Sequence, residues 1–500
     1  MLLYSMCLQQ RAALWGTQQP VCIWPIPSAL LWLLYCSQPS PHSPKTRPLF
    51  HSAWSGCPLP AFWCRPCYWS PSSTPDPRTA HTKPRIHSGS WHSWKKRGTA
   101  MGNDVTQAQL SNWVAPLQDG TAAYTLLAVC PTSDAVLRAA LQAASQAQAP
   151  LLIAATRNQV DIDGGYTGWT PQALMDRTEI ICASLSEAPP VITCVDHGGP
   201  WCKDAERNAG ASWHEAKAGT QATLRAALDA GYRYVHIDAT IDPHRHGPPP
   251  VSDMVDRTDA LLRWTEAYRR ENGMPHITYE VGIEEVAPPD VTDPSKRLEA
   301  FLTQLDATLP SDMAPTFVVS DVGTSFGTGQ FEAAHAQQVV EQVRAHGALV
   351  KAHYSDFVDA LDAYPRCGMG GANIGPGLSA VEYQALRELE ALAKAIDATP
   401  TWHNALRNAL VRSGRWRKWV DHDGAFDALD DETQNRLLET GSRYVWADPE
   451  VEAARTELYD QVARYRDADA YVVWRLRSAV EQMLHLLNLV GRADMEAAIA

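Results

Sequence analysis

An acid and an imidazole stand directly behind the apolar run 191–195, in the stretch VITCVDHGGPWC. Asp196 and His197 are followed by two glycines and a proline, so they lie on a loop too small to bury both groups. A carboxylate can transfer a proton, and an imidazole can bind a metal ion or carry a proton itself. A turn closed by an Asx hydrogen bond would explain the same pair without any chemistry. The remaining chain has to distinguish these two interpretations.

Polar and ionisable groups stand at or just after the ends of seven apolar runs. They are Asn158, Gln159, Asp196, His197, His236, Asp238, Glu280, Asp321, His353 and Asn373. Two histidines and a carboxylate from such positions form the N,N,O donor set of a catalytic Zn²⁺ or Mn²⁺ site. Each group alone has a simpler interpretation: His236 as a hydrogen-bonded core histidine, Asp238 as a loop cap, His353 as a surface group. Their coincidence favours one shared ligand, because burying unpaired charges is costly.

The elements that must position these groups form a regular alternation from residue 120 onward. The eight β-type runs are 124–129, 151–155, 191–195, 234–238, 276–281, 316–320, 349–353 and 372–375. Segments with helical spacing separate them, and the clearest, 212–230, begins with a capping box of Ser212 and Glu215. Alternating strands and helices imply parallel pairing, and eight units over about 260 residues predict a (β/α)8 TIM barrel. The alternative is an open doubly wound sheet, although no glycine fingerprint follows the first run. In a barrel, all the strand ends above share the face that carries active sites.

The alternation stops near residue 400, and only helices are predicted beyond it. The segment 448–465 begins with an Asp-Pro pair and carries an apolar stripe, and a second helix is predicted over roughly 471–490. We therefore predict a barrel over 101–397 and a C-terminal helical region over 398–500, packed on the barrel.

Residues 1–100 differ from the rest in composition. They contain ten Lys and Arg but a single acid, Asp76, whereas the whole chain contains 43 Lys and Arg and 56 Asp and Glu. No apolar period of 2 or 3.6 persists in them. A targeting peptide and a cysteine-stapled domain are two interpretations of this non-globular extension. The composition favours a third, in which Met101 is the true start and the preceding residues are upstream DNA translated by mistake.

The bulk composition excludes several classes of partner. A formal net charge of −13 argues against nucleic acids and anionic membranes, and no apolar run reaches membrane-spanning length. The five cysteines after Met101 are scattered, which is typical of small buried thiols in a reducing cytoplasm. We expect a cytoplasmic protein with a small-molecule substrate.

Five stretches occur in order along the chain after Met101: LLIAATRNQVDIDGGYTGWTP, CVDHGGPW, YVHIDAT, VKAHYSDF and NIGPGLS. They resemble the Z-type, so-called non-catalytic, subunit of class II D-tagatose-1,6-bisphosphate aldolase. The resemblance implies a TIM barrel related to class II fructose-bisphosphate aldolases and to metal-dependent sugar epimerases. It implies His197 and His353 as metal ligands, Glu280 as the third ligand or a catalytic group, and Asp196 as the proton-transfer residue. The implied metal is Zn²⁺, with Mn²⁺, Ni²⁺ or Co²⁺ as alternatives. The residues expected to bind substrate are Asn158, Gln159, His236, Asp238, Ser355, Asp356 and Asn373.

Two departures from that family pattern affect the expected chemistry. Thr328 stands where the family usually has a histidine, so a ligand is missing or is replaced by Gln330 or water. Ser355 and Asp356 stand where class II aldolases bind a phosphate, and an acid there repels one. The glycine-rich run 368–377 either offers backbone N–H groups to an anion or is simply a tight loop.

We therefore expect a metal-dependent enzyme that acts on a ketose or a keto-sugar acid, phosphorylated or not. It would act as an aldolase-like lyase or as a sugar epimerase. The alternative is a non-catalytic subunit that stabilises a separate aldolase subunit, and a homo-oligomer is also compatible with the sequence. A sugar kinase is disfavoured because no GxxxxGK[ST] phosphate loop is present.

Overall fold

A computed structural model describes residues 107–283, 293–324, 331–420 and 424–494. The predictions for the extension 1–100, and those for Thr328 and Gln330, fall outside these residues.

Eight parallel strands form a closed barrel. They are β1 Leu126–Val129, β2 Leu151–Thr156, β3 Val191–Asp196, β4 Tyr234–Ile237, β5 Thr278–Gly282, β6 Phe317–Val319, β7 Leu349–Ala352 and β8 Gly371–Ile374. Each strand pairs with the next in sequence, and β1 pairs with β8. All eight predicted strands are present, so the TIM-barrel prediction is confirmed and the open-sheet alternative is wrong.

Fourteen α-helices lie in the described part of the chain. They are α1 Gln107–Gln118, α2 Asp134–Ala147, α3 Pro171–Ser184, α4 Asp204–Asn208, α5 Trp213–Asp229, α6 Val251–Glu271, α7 Pro294–Thr308, α8 Ala333–Ala345, α9 Ala363–Cys367, α10 Pro376–Ala395, α11 Trp402–Ser413, α12 Asp431–Gly441, α13 Pro449–Val462 and α14 Ala468–Leu486. The predicted capping box is present at the start of α5, where Ser212 and Glu215 hydrogen-bond reciprocally. It satisfies N–H groups that the first helical turn leaves without partners.

Almost every side chain of the strands is buried, because helices cover the outside of the barrel and side chains from the other strands fill its interior. Tyr234 of β4 and Phe317 of β6 stack inside the barrel with ring centroids 5.5 Å apart. This packed interior lies beneath the strand ends and leaves their carboxyl face as the place for polar groups.

The C-terminal helices pack on the barrel as predicted. The predicted apolar stripe of α13, consisting of Val451, Ala454, Leu458 and Val462, is buried, and Asp448 caps the helix. The last helix, α14, packs along α2 and is also joined to it by the Arg138–Asp469 ion pair. It starts three residues earlier than predicted, because the Asp467 side chain caps it by accepting from the Ala470 N–H.

The five cysteines in the described ranges are buried and form no disulfide with one another, as predicted for small buried thiols. None of the helices in the described ranges is long and apolar enough to cross a membrane.

Candidate active site

Four ionisable side chains converge at the carboxyl face of the barrel. Asp196 ends β3, His236 lies in β4, Glu280 lies in β5 and His353 follows β7. One ligand atom from each lies within 4.8 Å of the others, and no residue in the group is more than 3% exposed. His236 and Glu280 are register partners on neighbouring strands, so their side chains reach the same level. The sequence prediction that strand ends would bring these residues together agrees with the fold.

The distances within this cluster leave a space lined by nitrogen and oxygen donors. Asp196 Oδ1 lies 3.2 Å from His236 Nδ1 and 3.6 Å from His353 Nε2. Glu280 Oε1 lies 3.8 Å from both of the same ring nitrogens. Two imidazoles and two carboxylates at these separations form a donor set that suits Zn²⁺ or a similar divalent ion.

His197 belongs to a second, more open group at the edge of this cluster. Its Nδ1 lies 2.6 Å from Asp238 Oδ2, and its ring centroid lies 4.7 Å from that of His353. The side chain of His197 is 30% exposed, in contrast to the buried four. A carboxylate on one ring nitrogen fixes the tautomer and the orientation of the ring, as is common for histidines that bind metals.

The backbone at His197 separates two neighbouring side chains. His197 has φ of 47°, a left-handed conformation that is uncommon for a residue with a side chain. Gly198 and Gly199 then run directly against β4 and the residue after it, where a Cβ on Gly199 would lie 1.5 Å from the Asp238 carbonyl oxygen. The left-handed turn therefore places His197 in the more open group beside His236 and His353, while Asp196 stays in the buried cluster. The glycines are required by this close approach to β4.

Lys351 of β7 is a member of the site that the sequence reasoning missed. Its side chain is fully buried, and Nζ lies 2.8 Å and 3.0 Å from the two carboxylate oxygens of Glu280. Nζ also lies 3.9 Å from Asp196 Oδ1 and 5.4 Å from the ring centroid of Tyr234, whose hydroxyl donates to Glu280. The signal was a single lysine inside the apolar run LVKAH, which a buried strand tolerates only with a partner.

Lys351 and the neighbouring imidazoles favour the ionised form of both buried carboxylates. Burial opposes ionisation, but Lys351 and the two imidazoles lower the pKa of Glu280 to about 2. Burial likewise opposes the ionisation of Asp196, while His353, His197 and Lys351 hold its pKa well below the ordinary value. Burial alone would lower the pKa of His197, but Asp196 and Asp238 raise it.

Asn373 orients the Asp196 carboxylate. Its Nδ2 donates to Asp196 Oδ2 at 2.9 Å, which leaves Oδ1 facing the imidazoles. The Oδ1 atom of Asn373 is buried and has no hydrogen-bond partner among the described residues, so it is available to a ligand hydroxyl.

The side-chain amides of Asn158 and Gln159 form hydrogen bonds at the carboxyl end of the barrel, within the segments that follow β2 and β3. Asn158 Nδ2 donates to the carbonyl of Cys202, and its Oδ1 accepts from the N–H of Asp204. Gln159 Oε1 accepts from the N–H of Thr156. The Asn158 contacts join the loop after β2 to the segment after β3, and neither amide is directed at the carboxylate cluster by a hydrogen bond among the described residues. Asp321 is exposed and caps a turn at Gly323.

Ser355 and Asp356 lie in the turn after β7 and are both buried. Ser355 Oγ lies 3.2 Å from the Tyr364 hydroxyl. Asp356 Oδ1 accepts from the N–H groups of Gly375 and Gly377, and burial raises the pKa of this carboxyl to about 6.

A closed parallel barrel with histidines and carboxylates gathered at the carboxyl ends of its strands is the architecture of the TIM-barrel enzymes. Residues 110–483 match the model of a family described as D-tagatose-1,6-bisphosphate aldolase subunit GatZ/KbaZ-like, and the chain belongs to that family.

Known proteins resemble the chain over most of its length. It is 28% identical to D-tagatose 6-phosphate 4-epimerase from Agrobacterium fabrum over 388 residues, which are 70% of this chain and 87% of the relative. A crystal structure described as a probable tagatose 6 phosphate kinase from Sinorhizobium meliloti 1021 superposes with a TM-score of 0.57 at 22% identity, covering 73% of this chain and 99% of its own. The YdjI aldolase from Escherichia coli K12 is more distant, with 12% identity, a TM-score of 0.43, and coverage of 77% and 99%.

Proposed function

We propose that the chain is a divalent-metal-dependent enzyme that epimerises a ketose or a keto-sugar acid, or cleaves it by an aldol-type reaction. The observation that carries the proposal is the burial of two carboxylates, two imidazoles and an ammonium group at one end of the barrel. A purely structural role would favour apolar residues there, because desolvating several charges costs more than their pairing recovers. The relative named D-tagatose 6-phosphate 4-epimerase supports a ketose phosphate as the substrate.

His197 and His353 would hold the metal, with Glu280 as the third ligand. The rings of the two histidines are neighbours, and Glu280 Oε1 lies 3.8 Å from His353 Nε2. Asp238 supports this assignment by holding the opposite nitrogen of His197. A bound Zn²⁺, or alternatively Mn²⁺, Ni²⁺ or Co²⁺, would act as a Lewis acid toward the substrate carbonyl.

Asp196 would move the proton. It is ionised at neutral pH, and ionised carboxylates accept protons. Its two oxygens have different environments, since Asn373 holds Oδ2 and His236 lies 3.2 Å from Oδ1. This fixed orientation would keep Oδ1 as the oxygen that accepts the proton from the substrate. His236, which lies beside Oδ1, would then take the proton from Asp196. Asn373 and Asp238 line the same face and would bind substrate hydroxyls.

The test of this function uses the full chain and D-tagatose 6-phosphate, with NMR to detect its C4 epimer or cleavage products. We expect Asp196→Asn to retain its metal and lose turnover by about 10²–10⁴-fold, the usual contribution of a positioned acid or base. Asp321→Asn, the same change at an exposed strand end, is the matched control and should keep full activity. Metal lost together with activity would make Asp196 a ligand instead. Unchanged activity in Asp196→Asn would reject the proton-transfer role.

The alternative function is a non-catalytic subunit, and the description of the family as an aldolase subunit favours it. The same NMR assay separates the two. A chain that converts no ketose alone, yet increases the stability or turnover of a separately purified class II aldolase, would support the subunit role and reject catalysis by this chain.

A further inference from the structure

A carboxylate of the chain itself, that of Asp356, occupies the N-terminus of α10. TIM barrels frequently bind a substrate phosphate with the loops after strands 7 and 8 and a helix N-terminus, where free N–H groups and the helix dipole attract anions. In this chain the corresponding elements are the turn Ser355–Phe357, Gly375 and the N-terminus of α10. Asp356 occupies the space that they enclose.

Two backbone donors at this helix start are already used. Asp356 Oδ1 accepts from the Gly375 N–H at 2.6 Å and from the Gly377 N–H at 2.9 Å. The residue between them is Pro376, which has no N–H to offer. The Asp356 side chain also packs against the helix start, because a Cβ on Gly377 would lie 2.7 Å from the Asp356 Cβ. An incoming phosphate would meet a filled site and a negative charge.

The Asp356 carboxylate lies close to the catalytic cluster. It follows His353 by three residues, and the side chain of Cys130 lies beside Gly375, where a Cβ would be 2.8 Å from the Cys130 Cβ. Asn373 of β8 donates to Asp196, and Gly375, two residues further on, donates to Asp356. A substrate that extends from Asp196 past the end of β8 would therefore direct one of its ends toward Asp356.

We propose that Asp356 selects a ketose whose end on the β7–β8 side is an uncharged hydroxyl. The proposal rests on the proposed function and narrows its substrate class to a monophosphate or an unphosphorylated sugar. A 1,6-bisphosphate carries a phosphate at both ends, so it must direct one toward Asp356 in either orientation. A 6-phosphate can direct its free hydroxyl there. Oδ2 of Asp356, which is buried without a hydrogen-bond partner among the described residues, is the acceptor for that hydroxyl.

The test compares the binding of D-tagatose 6-phosphate and D-tagatose 1,6-bisphosphate to the full chain by isothermal titration calorimetry. We expect the wild-type protein to bind the monophosphate at least tenfold more tightly. Asp356→Ala should reduce that preference at least tenfold, since it removes both the charge and the filling group. Asp359→Ala, the same substitution at an exposed acid three residues along, is the matched control and should leave the preference unchanged. Equal or tighter binding of the bisphosphate to the wild type would overturn the proposal, as would an Asp356→Ala variant that behaves like the control.

Inorganic phosphate alone provides a readout that does not depend on the sugar. Asp356→Ala should gain a phosphate-dependent rise in melting temperature that the wild type and Asp359→Ala lack. If phosphate raises the melting temperature of Asp356→Ala but no ketose binds, the proposed function is rejected, and the claim that Asp356 blocks the N-terminus of α10 stands. If a ketose binds but phosphate does not raise that melting temperature, the claim about Asp356 is rejected and the proposed function stands. If the alanine variant does not fold, Asp356→Ser replaces it in both experiments, because its hydroxyl can still accept one of the two N–H groups while leaving room.

Discussion

Replacing Lys351 with methionine tests the charge balance of the barrel interior. The substitution conserves most of the volume but leaves Glu280 with no ammonium partner, although both side chains are fully buried. Removing one partner of a buried ion pair usually costs about 3–5 kcal/mol, because the remaining charge is left without compensation in a medium of low dielectric. We expect a loss of this size at pH 8, measured by chemical unfolding of the full chain.

The pH dependence of this loss follows from Glu280, whose pKa is lowered to about 2 in the folded protein. A lowered carboxyl pKa stabilises the fold above the unfolded value near 4.5 and loses this effect as the pH falls toward 2. Without Lys351, burial raises the pKa of Glu280, so the variant takes up a proton there at a higher pH than the wild type, and the cost of Lys351→Met should shrink as the pH is lowered from 8 toward 2.

Two further variants complete this experiment. Adding Glu280→Gln to Lys351→Met should recover most of the lost stability, because the uncompensated charge is gone, and the two effects should be strongly non-additive. Lys296→Met is the matched control, since Lys296 is 85% exposed in its ion pair and should change stability by no more than about 0.5 kcal/mol. A Lys351→Met protein as stable as this control, or a double variant no more stable than Lys351→Met, would refute the reasoning.

Two other predictions follow from buried carboxylates. Glu382 accepts a hydrogen bond from Ser133, and burial raises its pKa to about 7, so its folded form holds a proton more tightly than its unfolded form. The wild type should therefore lose stability as the pH rises from about 4.5 to 7, and Glu382→Gln should be more stable by up to about 3 kcal/mol at pH 8 with little difference at pH 4.5. Melting curves at both pH values measure this, and an equal effect at both would show that the cause is not ionisation. Asp238→Asn should weaken metal binding by about 10–100-fold by releasing the Nδ1 side of His197. Competition with a coloured chelator measures the affinity, and an unchanged affinity would mean that His197 is not a ligand held by Asp238.

Local sequence signals predict the barrel and several of the residues that line its carboxyl face. The eight apolar runs, the capping box of Ser212 and Glu215 and the strand-end position of Asp196 are all encoded within a few neighbouring residues, so pattern alone places them. A barrel then brings its strand ends together by topology, which is why Glu280 and His353 could be assigned to the same face as Asp196.

Other features of the site depend on contacts that no local pattern contains. Asp356 bonds to Gly375 and Gly377, about twenty residues away on another loop, so its sequence suggested a charge without showing what the charge occupies. The ion pair of Lys351 with Glu280 joins β7 to β5. Lys351 lies within β7 and not after its end, so the pattern of polar groups at strand ends does not indicate it. The left-handed backbone of His197 likewise depends on the packing of the following glycines against β4.

Metal stoichiometry tests the central claim most directly. The full chain is stripped with chelator, reloaded with Zn²⁺, dialysed and measured by elemental analysis alongside His353→Ala and His214→Ala, the latter an exposed histidine of α5 that serves as the matched control. A metal-dependent active site at the strand ends predicts about one ion per chain in the wild type and in His214→Ala, and a sharp loss in His353→Ala, since two remaining ligands rarely hold a catalytic Zn²⁺. A wild-type protein that retains no ion, or a His353→Ala protein that retains as much as the control, would contradict it.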